Sequence, residues 1–198
     1  MIRTFVAIEL DEEIRQAIAG TQGQVQEQLM RQLRHRIPGI RVQWVRPDSI
    51  HLTLKFLGDI DEARVEDIRA ALLPAVRTQS RFAVEVGGLG VFPDLRAPRV
   101  LWTGLFGQVD ALMRVAAEVE AALTGVGFPP EPRQLSPHLT LARIKERSWE
   151  VGKGLADSGL MTQAFRVGSL AVDAVCLMKS DLKPSGAVYT RLVQAPLE

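Results

Sequence analysis

The sequence predicts an α+β fold dominated by antiparallel sheet, and three observations carry that expectation. Segments of alternating or continuously apolar character, the mark of strands, outnumber the helical ones. Several follow one another across short Pro- or Gly-containing turns, which join antiparallel neighbours, whereas parallel strands need long crossovers. Three stretches with apolar residues at helical spacing fall between strand pairs rather than alternating with single strands.

Taken in order, residues 4–10 (TFVAIEL) read as an opening strand. A polar stretch at 12–34, rich in Gln and Arg, places Ile14, Ile18, Val25, Leu29 and Leu33 at helical intervals. Pro38 and Gly39 break it; 41–45 reads as a short strand, Pro47 and Asp48 as a turn, and 50–57 (IHLTLKFL) as an alternating strand. A helix is expected at 61–77, with Ile68, Leu72 and Leu73 on one side and acidic residues in its first turn. Residues 81–89 (RFAVEVGGL) and 99–104 (RVLWTG) are strands flanking a loop. A strongly amphipathic helix at 108–124 carries Val109, Leu112, Val115, Ala116, Val119 and Leu123 until GVGFPPEPR at 125–133 stops it. Residues 138–144 form a strand, the Gly-rich stretch 145–161 carries no firm pattern, and strands follow at 163–173, 174–180 and 187–193, the last two joined by a turn at 183–186 (KPSG).

Composition narrows the function classes. With 198 residues, 46% of them hydrophobic, and a mean hydropathy of +0.06, the chain can bury a core, which excludes the disordered and membrane classes. No apolar run approaches the ~18–20 residues of a membrane span, and MIRTFVAIELDEE turns acidic too early for a signal peptide. The 24 basic and 23 acidic residues leave a formal charge of +1, far from the basic stripe that grips duplex nucleic acid, so any nucleic-acid contact is local. Of the basic residues 19 are Arg, whose planar fork suits phosphate, although GC-rich coding, the preferred reading, produces the same bias without functional meaning. The single Cys176 excludes an internal disulfide and a Cys-rich zinc site and suits a reducing cytoplasm, the location expected.

The chemistry lies in a repeat. Ser49-Ile50-His51-Leu52-Thr53-Leu54 is answered by Ser136-Pro137-His138-Leu139-Thr140-Leu141, so two of the three histidines open the same tetrapeptide, HLTL. On a strand, His51 and Thr53 share one face and Leu52 and Leu54 the other; His138 and Thr140 are likewise opposed to Leu139 and Leu141. Each copy is half core and half site. Two imidazoles are too few ligands for the usual metal site, and neither motif holds an Asp, Glu or Cys to complete one. Cys176 has no His near it in sequence, so spacing gives a Cys–His nucleophile no support and leaves their proximity in space open. Two histidines near their unperturbed pKa of about 6.5 do supply a complementary acid and base, and two Thr hydroxyls can donate to the oxygens of an anion such as phosphate. This reading leaves open which histidine is the acid.

Around the repeat, Arg143 falls nominally on the leucine face, with a long side chain at a strand end. Lys55 shares the face of His51 and Thr53 by period two, either adding charge to the site or, the preferred reading, forming the exposed end of its strand. Phe56, Phe92, Trp102 and Tyr189 are candidate base-stacking platforms or, for most, core. His35 reads as a solvated helix-end histidine.

These residues resemble a known family, the 2H phosphoesterases with their paired H-x-[ST]-x motifs, and within it the bacterial and archaeal RNA 2′,3′-cyclic phosphodiesterases, also called 2′-5′ RNA ligases. Besides the two motifs, the resemblance rests on RTFVAIEL, HLTLKFLG, PRVLW, SPHLTLAR and the closing S-x-L-x-P-x-G-A-x-Y at 180–189. It implies a single bilobal domain over 1–198 with pseudo-twofold symmetry, its two antiparallel sheets backed by helices and the site in the cleft between lobes. It further implies metal- and cofactor-free hydrolysis of an RNA or nucleoside 2′,3′-cyclic phosphate to the 2′-phosphate. His138 would be the proton acceptor and His51 the proton donor, with Thr53, Thr140 and Arg143 on the phosphate. RNA ends or nucleotides bearing the cyclic phosphate would be the partners of a monomer with no membrane. Reverse 2′-5′ RNA end joining and a non-catalytic RNA-end binding module stay open beside hydrolysis.

Overall fold

The computed structural model describes residues 1–34, 37–183 and 186–198. Nine strands and four α-helices follow in the order β1 (Ile2–Glu9), α1 (Glu12–Arg34), β2 (Gln43–Trp44), β3 (His51–Ile60), α2 (Arg64–Arg77), β4 (Phe82–Phe92), β5 (Val100–Gly107), α3 (Val109–Gly125), β6 (His138–Arg143), α4 (Ser148–Asp157), β7 (Arg166–Val172), β8 (Ala174–Lys183) and β9 (Gly186–Pro196) among the described residues. Asp11 caps α1 by accepting the Ile14 amide at 2.8 Å. Each helix is amphipathic and buries one stripe: Ile14, Ile18, Val25, Leu29 and Leu33 on α1, Leu112, Val115, Val119 and Leu123 on α3.

All strand pairings are antiparallel. One sheet has the order β3-β1-β8-β9, the other β2-β6-β5-β4-β7. Setting β2 aside, the two match strand for strand, with β3 answering β6, β1 answering β5, and a helix following β1 and β5 alike. The expected α+β, two-sheet, pseudo-twofold architecture is thus observed. Leu52 and Leu54 of one motif strand and Leu139 and Leu141 of the other are buried in one core shared by both sheets. A second cluster joins the C-terminal half of α1 to α4, Leu101 and Ala142.

The differences from expectation are local. The strand expected at 41–45 shortens to Gln43–Trp44, followed by a 3₁₀ turn at Pro47–Ser49. The Gly-rich 145–161 stretch contains α4. Gly152 and Gly154 sit where a Cβ would meet the Leu95 carbonyl and the Leu33 side chain, so close packing selects the glycines. His35, Pro184 and Ser185, the last two from the expected 183–186 turn, lie outside the described residues.

Candidate active site

Both motif strands carry the same irregularity. Along β1 and β3, Val6 pairs with Lys55 and Ala7 with Thr53, leaving Leu54 as the extra residue of a bulge. Along β5 and β6, Leu101 pairs with Ala142 and Trp102 with Thr140, leaving Leu141 extra. A bulge reverses the alternation beyond it. Leu54 and Lys55 are therefore both buried, as are Leu141 and Ala142, and the next residues, Phe56 and Arg143, return to the face of the His and Thr.

That face lines one cleft of about 720 Å³, which brings together His51, Thr53, Phe56, His138, Thr140, Arg143 and Tyr189. Arg143 is thus on the site face and not on the leucine face of period two. Lys55 corrects both readings offered for it. It is neither in the cleft nor exposed, being 2% accessible, and its Nζ donates to both Glu120 carboxylate oxygens at 2.8 and 2.9 Å and to the Pro129 carbonyl at 2.8 Å. Glu120 also accepts the Glu131 amide, so the pair fastens the loop between α3 and β6 to the first motif strand.

The histidines are oriented alike. Nδ1 of His51 lies 3.0 Å from the Ser49 carbonyl and Nδ1 of His138 lies 2.8 Å from that of Ser136. A carbonyl only accepts, so Nδ1–H donates in each case and Nε2 is left for the cleft. It is the backbone of the repeated serine, two residues upstream, that performs this. Aromatic rings back the imidazoles. Phe5 stacks on His51 with centroids 4.5 Å apart and Tyr189 meets it edge-on at 4.9 Å, while Phe92 meets His138 edge-on at 5.0 Å with Trp102 at 6.3 Å. Phe92, Trp102 and Tyr189 are ring supports, and of the four candidate platforms only Phe56, 63% exposed, offers an open face.

Burial, with a smaller contribution from the nearby Arg143 charge, lowers the His51 pKa to about 4, against the Ser49 hydrogen bond and Glu9, which raise it. Burial likewise raises the Tyr189 pKa, offset in part by Arg143 and Arg3. The Arg143 charge on the second sheet thus acts on the histidine of the first, across the cleft both line. Neither the Thr53 nor the Thr140 hydroxyl has a hydrogen-bond partner among the described residues, whereas Thr103 donates to the Gly88 carbonyl at 2.9 Å. Two hydroxyls without a partner among the described residues, two imidazoles and a guanidinium thus line one cleft, a set of groups able to donate to an anion and to exchange protons. Among the described residues no three His, Cys, Asp or Glu side chains gather as metal ligands, and no helix is long and apolar enough to cross a membrane.

A family model described as LigT-like phosphoesterase matches residues 8–102 and 107–189, which include both motifs. The chain belongs to this family. Among its relatives in the 2H phosphoesterase family, proteins named RNA 2′,3′-cyclic phosphodiesterase are 35% identical over 79% of this chain and 86% of the relative in Aeropyrum pernix, and 32% identical over 100% and 96% in Thermotoga maritima. Among solved structures of the LigT-like fold, a Thermus thermophilus protein superposes with a TM-score of 0.74 at 27% identity, covering 98% of this chain and 97% of that one. Escherichia coli LigT complexed with 3′-AMP gives 0.67 at 26%, covering 99% and 98%.

One site residue has no counterpart in the sequence reading. Gln22, 6% exposed, donates from Nε2 to the carbonyls of Val45 at 2.7 Å and Leu141 at 2.8 Å. Leu141 is the bulge residue, and its carbonyl also accepts the Val45 amide at 2.9 Å. Gln22 thus holds the irregularity that turns Arg143 into the cleft of this LigT-like protein. The signal was available, since Gln22 is the polar residue interrupting the α1 stripe between Ile18 and Val25.

Proposed function

We propose that this protein hydrolyses the 2′,3′-cyclic phosphate of an RNA end or nucleoside to the 2′-phosphate, without a metal ion. The observation that carries the reading is the pair of equivalent His-Thr faces, one from each sheet, lining one cleft, each with its imidazole Nε2 and Thr hydroxyl unengaged among the described residues. In-line displacement at phosphorus places nucleophile and leaving group on opposite sides, so base and acid must come from opposite walls. His138 Nε2 takes the proton of the attacking water as the new P–O bond forms. The P–O3′ bond breaks, and His51 gives its proton to the departing 3′ oxygen. Thr53, Thr140 and Arg143 hold the non-bridging oxygens. The substrate anion supplies what burial withholds from His51, since a negative charge against the ring favours the imidazolium the acid role needs. Exposed Phe56 and Leu182 on the first wall provide an apolar surface for the base. Because the chemistry draws on both sheets, the functional unit is the bilobal domain spanning 1–198.

A product-resolved assay in excess chelator tests the reading: the product is the 2′-phosphate, and His51→Ala and His138→Ala each lose about 10²–10⁴-fold while remaining folded. A substrate with sulfur in place of the 3′ oxygen separates the roles, because a thiolate leaves without protonation. It restores His51→Ala but not His138→Ala. A 3′-phosphate product, full activity in either variant, or dependence on a divalent ion contradicts the proposal.

A further inference from the structure

We propose that the cleft holds a second phosphate subsite, formed by Arg3 and Lys183, which takes the internucleotide phosphate on the 5′ side of the terminal nucleotide of an RNA strand. The inference rests on the cyclic-phosphate reading above and names the part of the substrate beyond the reacting group.

The first observation is an imbalance of charge. Elsewhere on the molecule the two signs are interspersed: some cations meet carboxylates, as in Arg31–Glu27 at 2.9 Å, Arg69–Glu66 at 3.0 Å, Arg191–Glu9 at 3.0 Å and Lys179–Asp181 at 3.1 Å, and others do not. The cleft is lined by Arg3, Arg143, Lys145 and Lys183 and by no Asp or Glu, and none of the four makes a side-chain ion pair among the described residues. In a chain of net charge +1 this is a local concentration of positive potential. The terminal cyclic phosphate carries one negative charge, which Arg143 and an imidazolium already meet. Arg3, Lys145 and Lys183 are left over, and of these Arg3 on β1 and Lys183 on β8 belong to the first sheet, the wall that carries Phe56.

The second observation is order along the wall. The register of β1 on β3 sets His51 opposite Glu9, Thr53 opposite Ala7 and Phe56 opposite Phe5, with Arg3 following on the same face of β1 two residues beyond Phe5, opposite Asp59, with which, among the described residues, it makes no ion pair. In β8, the other neighbour of β1, Lys179 lies opposite Thr4, and the strand runs on past that end to Lys183. Read outward, the wall presents acid, phosphate hydroxyl, apolar shelf and then cations. The end of an RNA chain presents its groups in the same succession: terminal phosphate, nucleoside, next phosphate.

The test compares two dinucleotides ending in a 2′,3′-cyclic phosphate, one with an ordinary linkage and one with a neutral methylphosphonate linkage, in the wild type and in Arg3→Gln, Lys183→Gln and the double variant. The wild type favours the charged linkage about fivefold in kcat/KM, through KM, as expected of exposed charge pairs. Its KM rises with salt more steeply for that substrate, by a log–log slope of about 0.7. The double variant shows neither preference nor extra slope. Equal kinetics on the two dinucleotides in the wild type, or a preference surviving in the double variant, overturns the subsite. A cyclic mononucleotide separates the two proposals: failure of the wild type to open it defeats the reaction itself, while turnover with no linkage preference defeats only the subsite.

Discussion

Replacing Gln22 by Leu tests whether one buried amide sets the catalytic geometry from a helix behind the sheet. Leucine completes the apolar stripe of α1 at nearly constant volume but removes both donors from the carbonyls of Val45 and Leu141, made now at 2.7 and 2.8 Å. Leaving buried carbonyls short of a partner costs about 1–3 kcal/mol, so the urea midpoint falls at unchanged m-value. The functional cost enters through Arg143. With the Leu141 carbonyl held only by the Val45 amide, the bulge loosens toward regular alternation, which would carry Arg143 out of the cleft. A hydrogen bond to a charged group is worth about 1.5–3 kcal/mol, so Gln22→Leu approaches the loss of Arg143→Gln, tenfold or more in kcat/KM. Steady-state kinetics of the two single variants and the double variant decide the matter. If Gln22 acts through Arg143, the double variant is no worse than Arg143→Gln alone. Additive losses, or a destabilised Gln22→Leu enzyme with unaltered kcat/KM, would refute the coupling.

Three further outcomes follow from the site. Burial lowers the His51 pKa to about 4 in the folded chain against about 6.5 unfolded, so the unfolded state takes up the proton first as pH falls. Stability from this group is complete above about pH 6.5 and is lost on descending to about pH 4, by up to roughly 3 kcal/mol; urea titrations of His51→Asn should show a flatter pH dependence, and an unchanged slope counts against it. An anion seated between the imidazoles opposes that burial, so sulfate, which does not titrate in this range, binds with proton uptake and tightens as pH falls from 7 toward 5. Calorimetry in buffers of different ionisation enthalpy measures the uptake, and none in the wild type would contradict it. Gly90 lies opposite Trp102, and a Cβ there would overlap the indole; Gly90→Ala displaces the ring behind His138, costing about 1–3 kcal/mol and lowering kcat, read by thermal melts with tryptophan fluorescence and by kinetics. A normal melt with an unshifted emission spectrum would sink that account.

Periodicity made the helices and strands legible because the buried stripes of α1 and α3 and the leucines of both motifs follow the ideal periods. It missed α4 because Gly152 and Gly154 answer to neighbours distant in sequence, Leu95 and Leu33, while propensity reads glycine as loop. The repeat put His51 with Thr53 and His138 with Thr140 on shared strand faces, and the cleft has them so, since in each strand the bulge falls only after the threonine, at Leu54 and Leu141.

Beyond the threonines the same rule failed twice, and for one reason. A bulge in each strand inverts the faces, so the residue that period two assigns to the site, Lys55 in one strand and Ala142 in the other, is buried, and the residue assigned to the core is returned to the cleft. That coincidence is informative. Identical bulges at equivalent motif positions carry Phe56 and Arg143 to matching places on opposite walls, and there the symmetry ends. A frame of two imidazoles and two hydroxyls related by a twofold axis would accept a phosphodiester in either of two orientations, exchanging nucleophile and leaving group. With an apolar ring on one wall and a guanidinium on the other, the orientations are no longer equivalent: on the proposed reading the base would have one apolar face to rest on, and the non-bridging oxygens one cation to meet. In the proposed mechanism the sixth position of each motif strand, which the bulge delivers and alternation hides, would thus convert a symmetric acid–base pair into one with an assigned direction.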